Sequence, residues 1–473
     1  MKIPYFKITL QQVILFSFVS LFATTAFCQQ NPYVKPFLPA NWRMPSPQPD
    51  HIVLNFSDDP ATTQSVTWRT DTLVTTAIAE IAIATGGPSF WRNAVSVEGE
   101  TERMDASKVK SAEAIAHYHS ATFTNLTPDT IYAYRVGDGQ HWSEWIHFRT
   151  ASQEAAPFSF LYVGDAQNNV LDLWSRLIRA GYSKVPDARF IIHAGDLIND
   201  AHSEIEWHEW FTAGGWIHRS VPSIPLPGNH EYEGYTEAEE ENDIEHLSVQ
   251  WRPQFTLPMN GPEGVKDLEE TTYYIDYQDV RIIVLNSNLM YEEQATWMES
   301  LLADNPNRWT IATCHHPMFS ASGDRDNPEL RATWKPLFDK YGVDLVLQGH
   351  DHSYARGHTA PTAATNVVDG VNTRDAAGTV YVVSVSGGKM YSRKPGGWEQ
   401  YEASLDRAAE NTQLFQTISI EGDTLQYRAY TAIGELYDAF DLIKGKDKAP
   451  NAFVELVNEA VPERTHENTI PYR

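Results

Sequence analysis

The chain has 473 residues, 42% of them hydrophobic, and its 62 acidic against 36 basic side chains give a formal net charge of -26. That apolar fraction, with 14 Trp, excludes an intrinsically disordered chain, and the length calls for two or three domains. A surface this acidic repels nucleic acid and anionic lipid, so neither is an expected partner, and a site for an anionic substrate needs local positive charge such as bound metal ions supply.

The N-terminus reads as a secretory signal peptide over 1–28. Lys2 and Lys7 precede an apolar run from Val13 to Ala23, and Ala26-Phe27-Cys28 places small residues at the first and third positions of a cleavage site. The run is too short to span a bilayer, and no later segment is long and apolar enough, so no transmembrane anchor is expected. Export to the periplasm or the medium follows, and Phe27 argues against lipoprotein anchoring at Cys28, which needs a small residue before it. Cleavage after Cys28 leaves Cys314 alone, with no intrachain disulfide; inside an apolar run it reads as a small buried hydrophobe.

Residues 29–50 are rich in Pro, Asn and Gln and read as a lead-in or linker. From 51 to 152 the texture is all-β, with strand-like runs at Ile52–Phe56, Ser65–Trp68 and Ala77–Ile83. Leu126, a turn at Pro128, and Tyr132 opening the next run resemble the tyrosine corner of Greek-key sandwiches. The expectation is a fibronectin type III-like sandwich without a catalytic cluster.

From 153 to 445 strands alternate with helical segments. Strands are expected at Phe158–Val163, Arg189–Ile192, Ser223–Leu226, Arg281–Leu285, Trp309–Thr313, Val343–Leu347 and Val380–Val385, apolar enough to be buried on both faces. Asn169–Tyr182 has helical spacing, and Trp207, Trp210 and Trp216 read as helix packing into the core. The acidic stretch Glu231–Asp243 reads as a surface loop, and 446–473 as a polar C-terminal tail.

Five of these strands end in residues that bind metals: Gly164-Asp165, Gly195-Asp196, Gly228-Asn229-His230-Glu231, His315-His316-Pro317 and Gly349-His350-Asp351-His352. Ligands bind outside the carboxyl ends of strands in α/β sheets, so the five ends are expected to converge on one crevice. Glycine before four of them permits a sharp turn and close approach, and His350 and His352, two apart, share a face. Mixed imidazole, carboxylate and amide-oxygen donors suit Fe, Zn or Mn, and a pair of metals can clamp both oxygens of an in-line phosphoryl displacement.

This order of motifs resembles the calcineurin-like metallophosphoesterase superfamily and, with the sandwich ahead of it, the purple acid phosphatases across roughly residues 45 to 445. The resemblance implies a β-sandwich packed on a four-layer αββα catalytic domain, and hydrolysis of a small phosphorylated substrate, a phosphate monoester, by attack of a metal-bound hydroxide. It implies two divalent or trivalent metal ions: Asp196 bridging both, Asp165 and His352 on the first, and Asn229, His315 and His350 on the second. His230 would bind phosphate or protonate the leaving oxygen, and His316 stands beside the ligand position. The family's second motif carries a metal-binding tyrosine where this chain has Asn199, and the wider superfamily often has His where this chain has Gln167. Asn199, Gln167 or water is left to complete the first site. Arg325, in a polar loop from Ser320 to Asn327, is a candidate phosphate contact, and Tyr354 and Arg356 lie just past the His-x-His pair. A phosphodiesterase or nucleotide hydrolase uses the same core, and a non-catalytic cell-surface binding protein is the reading from another class.

Overall fold

The structure, a computed structural model, describes residues 44–105, 115–322, 325–360, 375–394, 397–446, 449–456 and 461–465. The expected signal peptide with Cys28, most of the lead-in and the last residues of the tail lie outside the described residues.

Sequence alternation builds the N-terminal sandwich. Strands Asp50–Asn55, Gln64–Thr70, His117–Phe123 and Glu100–Arg103 form one layer, and Val95–Glu98, Ile78–Ile83, Ile131–Gly137 and Ile146–Arg149 the other. Val66, Trp68, Phe123, Tyr134 and Phe148 fill the space between them. The corner at Tyr132 closes as the sequence implies: the Thr127 N–H donates to the Tyr132 hydroxyl at 2.8 Å. Tyr132→Phe removes the acceptor of this part-buried hydrogen bond and is expected to lower stability by about 0.5–1 kcal/mol, measured by urea denaturation.

The sandwich is not a separate bead on a linker. Its first layer continues into the catalytic domain, because Asn55 pairs in parallel with Ser223 and the Asn55 Nδ2 donates to the Ser223 carbonyl at 2.9 Å. The resulting twelve-stranded sheet runs through Ser223–Leu226, Ile191–Ala194 and Phe158–Val163, mutually parallel, and then into Leu414–Glu421, Thr424–Thr431, Leu436–Ile443, Asn451–Glu455 and Asp375–Ala377.

A second, seven-stranded sheet contains the parallel strands Val280–Val284, Trp309–Thr313, Leu345–Gln348 and Val380–Val383. Strands of both sheets contribute to one apolar core. The helix Ser175–Lys184, reached through a π-helical turn at Val170–Trp174, and the helix Glu204–Gly214 cover the first sheet. Helices Tyr291–Ala303 and Pro328–Tyr341 cover the second through Met298, Trp334 and Phe338. This is the αββα arrangement expected.

Some expectations change. The tail expected from 446 instead carries the strand Asn451–Glu455, whose Ala452 and Phe453 are buried, with Phe453 stacked on Phe440. Its burial runs over three consecutive residues and reflects pairing with Leu436–Ile443, which a short polar-flanked segment does not announce. Trp207 and Trp210 are buried, but Trp216 is 54% exposed, because the helix breaks at Gly215 and the next one starts facing outward. In the acidic stretch Glu231 is wholly buried while Glu237–Glu240 forms an exposed helical turn. Cys314 is buried and free, and burial pushes its thiol up to about 12. No helix among the described residues is long and apolar enough to cross a membrane.

Candidate metal centre

The motif residues come from two facing sheets rather than one open sheet. Asp165, Asp196 and Asn229 follow parallel strands of the first sheet; His315, His350 and His352 follow strands of the second. Glycines let the sheets meet. A Cβ on Gly164 would lie 2.8 Å from the Ser384 carbonyl and 3.4 Å from the Gly349 Cα, and one on Gly349 would lie 2.5 Å from the Asp165 Oδ2. Beneath the crossing the Gln348 N–H donates to the Tyr162 hydroxyl at 2.8 Å, tying one sheet to the other.

The six residues converge. Asp196, His315 and His350 form one group and Asp165, Asp196 and His352 another, with donor atoms within 4.8 Å of one another in each. Asn229 Oδ1 joins the first, 2.9 Å from His350 Nδ1 and 3.2 Å from His315 Nε2. Asp196 Oδ1 lies 3.2 Å from His315 Nε2, and Asp165 Oδ1 lies 3.8 Å from His352 Nε2. This donor set of hard oxygens and imidazoles fits a pair of transition-metal ions.

Backbone conformation aims these donors. Asp165, Asp196, His350 and His352 all have φ between 48° and 76°, a left-handed region that costs on the order of 1 kcal/mol per non-glycine residue. Hydrogen bonds hold them there: the His350 N–H donates to both Asp165 carboxylate oxygens at 2.9 and 2.8 Å, and the Asp165 N–H to the Gly195 carbonyl at 3.1 Å. His315 Nδ1–H donates to the Ala194 carbonyl at 2.8 Å and His352 Nδ1–H to the Lys389 carbonyl at 3.0 Å. Those bonds fix the tautomers and turn each Nε2 lone pair toward the carboxylates.

Charge in the centre is unevenly held. Burial, with Asp196 adjacent, keeps Asp165 well above the usual carboxylate range. Burial acts upward on Asp196 too, but His315 and His230 pull it below the usual range. Burial acts downward on His315, and Asp196 overrides it, lifting the imidazole to about 9. Burial and nearby Lys389 push His352 down to about 3, and burial pushes His316 down to about 3.

His230 sits on a short 3-10 turn, Asn229–Glu231, beside these donors. Its N–H donates to Asp196 Oδ1 at 3.0 Å, and its Nδ1–H donates to the Asn199 carbonyl at 2.7 Å, which leaves Nε2 free to meet a substrate. The Asn199 side chain turns elsewhere: its Oδ1 accepts from Asn168 Nδ2 at 2.5 Å and its Nδ2 donates to Asp200 Oδ1 at 2.9 Å. Gln167, wholly buried, donates from Nε2 to Asp196 Oδ2 at 2.5 Å. The His316 ring lies 4.3 Å from that of His350, with Nδ1 2.9 Å from the Ser287 hydroxyl. Arg325 Nη2 reaches His350 Nε2 at 2.6 Å and its carbonyl at 3.0 Å. Tyr354 and Arg356 face a different environment, bonded to buried Asp438, with Arg356 also on Asp406 and Glu455.

Two positions at the centre go beyond the sequence reading, which puts Glu231 at the start of a surface loop and gives Lys389 no role. Glu231, whose carboxyl burial and Asp196 push up to about 8, accepts from the N–H groups of Asp196, Leu197 and Gly228 at 2.9, 2.7 and 2.6 Å. It clasps the second and third motif loops. Lys389 follows Ser386-Gly387-Gly388 at the end of the strand Val380–Val383, and its Nζ lies 3.3 Å from Gln167 Oε1. A Gly-Gly-Lys run at a strand end was the available signal.

A Cβ on Gly228 would stand 2.2 Å from Asp196 Oδ1 and 2.5 Å from its backbone nitrogen. Gly228→Ala is expected to weaken metal retention by roughly 10- to 100-fold, read by metal analysis after dialysis.

Comparisons with known proteins recover the same two domains. A family model for the purple acid phosphatase N-terminal domain matches residues 49–150, and one for calcineurin-like phosphoesterases matches 158–354. An uncharacterized protein of Mycobacterium tuberculosis is 27% identical over 402 residues, covering 74% of this chain and 72% of its own length. The Fe(3+)-Zn(2+) purple acid phosphatase 12 of Arabidopsis thaliana is 27% identical over 314 residues, 62% of this chain and 64% of that protein. The purple acid phosphatase PPD1 from yellow lupin (Lupinus luteus) seeds has the same fold, with a TM-score of 0.67 at 19% identity over 83% of this chain and 74% of that one. With the two family models matched in order along one polypeptide, the chain carries a purple acid phosphatase N-terminal domain followed by a calcineurin-like phosphoesterase domain, the pair of a purple acid phosphatase-like, metal-dependent phosphoric ester hydrolase.

Proposed function

We propose that the protein is an exported phosphatase that hydrolyses phosphate monoesters with two metal ions, Fe, Zn or Mn. The observation that carries the reading is the sharing of Asp196 between two donor groups, one with His315 and His350 and one with Asp165 and His352. Asp165, Asp196 and His352 would hold one ion, and Asp196, Asn229, His315 and His350 the other. When bound, the ions supply positive charge against the phosphate oxygens and acidify water near neutral pH.

The side chains do the rest. A water oxygen forms the new bond to phosphorus as the ester P–O bond breaks, and the departing oxygen takes the proton from His230 Nε2. The Asn199 carbonyl can only accept, so Nδ1 keeps its own proton and His230 delivers from Nε2 in the doubly protonated form. The proton released by water then restores it. Export is supported by the Lys2, Lys7 and Val13–Ala23 pattern.

Metal analysis of the purified protein, with assays on 4-nitrophenyl phosphate and bis(4-nitrophenyl) phosphate, tests the reading. Two ions per chain and faster turnover of the monoester support it. Preference for the diester moves the function to a phosphodiesterase, and a folded protein that takes up no metal and hydrolyses neither ester sinks it.

A further inference from the structure

We propose that Lys389 and Arg325 form a two-cation clamp, set around Tyr391, that grips the doubly charged phosphate of a monoester and selects it over a diester. The proposal rests on the monoesterase reading above and adds the residues that make the choice.

The chain as a whole carries a charge of -26, so cations beside the centre stand out. Lys389 makes no ion pair with a carboxylate among the described residues; its ammonium lies 3.3 Å from Gln167 Oε1, and Gln167 Nε2 donates to Asp196. It is therefore one amide away from the carboxylate common to both donor groups. The loop beneath it is fixed. The Gly387 N–H donates to the Asp165 carbonyl at 2.8 Å, and a Cβ at 387 would lie 2.1 Å from the Gln167 carbonyl, so only glycine fits. The Lys389 carbonyl accepts from His352 at 3.0 Å, which ties its position to the metal-binding face.

Arg325 stands at the other donor group, on His350. Its long contact to Asp351 Oδ1, 3.5 Å, leaves the guanidinium weakly paired, because the other Asp351 oxygen is bonded to Ser320 and Ala321. As it stands, Arg325 donates to His350 Nε2. If His350 held a metal through Nδ1, the atom that faces Asn229, its imidazole proton would sit on Nε2, and the Arg325 N–H now spent there would turn to an anion instead. Both cations meet at one ring: the Arg325 guanidinium carbon lies 5.3 Å and the Lys389 Nζ 5.7 Å from the centre of Tyr391, whose N–H donates to the His352 carbonyl at 2.9 Å.

A monoester phosphate near neutral pH carries close to two negative charges on three unesterified oxygens; a diester carries one charge on two. Two charge-assisted donors beyond the metals therefore reward the monoester.

The test compares the metal-loaded full chain with Lys389→Met, Lys389→Arg and Arg325→Met. Steady-state kinetics on the two nitrophenyl esters are combined with calorimetric titration by inorganic phosphate and with metal analysis. Lys389→Met and Arg325→Met are each expected to weaken phosphate binding and raise KM for the monoester by about 10- to 100-fold, to change diester kcat/KM by less than about threefold, and to keep two ions per chain. Lys389→Arg recovers most of the loss. Equal losses on both esters, unchanged phosphate binding in both Met variants, or loss of metal from them would each overturn the clamp. If the wild type hydrolyses neither ester, the monoesterase reading fails, and the phosphate titrations still decide whether the clamp exists.

Discussion

Asp196→Ala is expected to reduce monoester turnover by at least on the order of 10³-fold and to leave less than one tightly held metal ion per chain, since the charge that activates water goes with the ions. The size of the effect follows from how much converges on one carboxylate. Asp196 Oδ1 faces His315 Nε2 at 3.2 Å and accepts the His230 N–H at 3.0 Å, and Oδ2 accepts from Gln167. Alanine deletes a donor from both groups and releases the turn that carries His230. The position also has φ 52°, where asparagine is better tolerated than alanine. Asp196→Asn therefore separates charge from backbone: it is expected to keep the circular dichroism spectrum of the wild type and still lose metal. Retention of two ions by Asp196→Asn would show that the shared carboxylate is dispensable.

His230→Ala makes the contrasting case, with metal kept and turnover lost. The ring donates to the Asn199 carbonyl and leaves the donor cluster intact, so two ions per chain should remain. Loss of a general acid costs about 10²- to 10⁴-fold in kcat for alkyl monoesters, whose leaving oxygens need a proton, and much less for 4-nitrophenyl phosphate, whose leaving group departs as an anion. Comparing the two substrates in one variant reads the proton transfer directly. An equal loss on both would assign His230 to phosphate binding rather than to protonation.

How much of this was legible in the sequence depended on range. Gly-Asp, Gly-Asn-His-Glu and Gly-His-x-His are short strings whose residue types already suggest the chemistry, and Asp165, Asp196, Asn229, His350 and His352 from them come together in the structure. The strand Ser223–Leu226 could be read residue for residue because its burial is uniform. Relations between distant segments could not be read. Nothing in Asn55 or Ser223 announces that sandwich and catalytic sheet are continuous, and nothing in Asn199 says that its carbonyl, rather than its side chain, serves His230. Among the C-terminal strands only Thr424–Thr431 alternates cleanly, while Leu414–Glu421 is almost wholly buried because it pairs with Phe158–Val163, a partner far away in sequence. Lys389 escaped for a related reason: a lone lysine acquires a role only when Gly387 seats its loop on Asp165.

The meeting of two sheets at Gly164 and Gly349 couples metal binding to the fold. Neither sheet alone holds a complete donor group, because Asp196 belongs to one and His315, His350 and His352 to the other. Ions held by these donors would stabilise only the state in which the two sheets have met, so they act as a cross-link between the sheets.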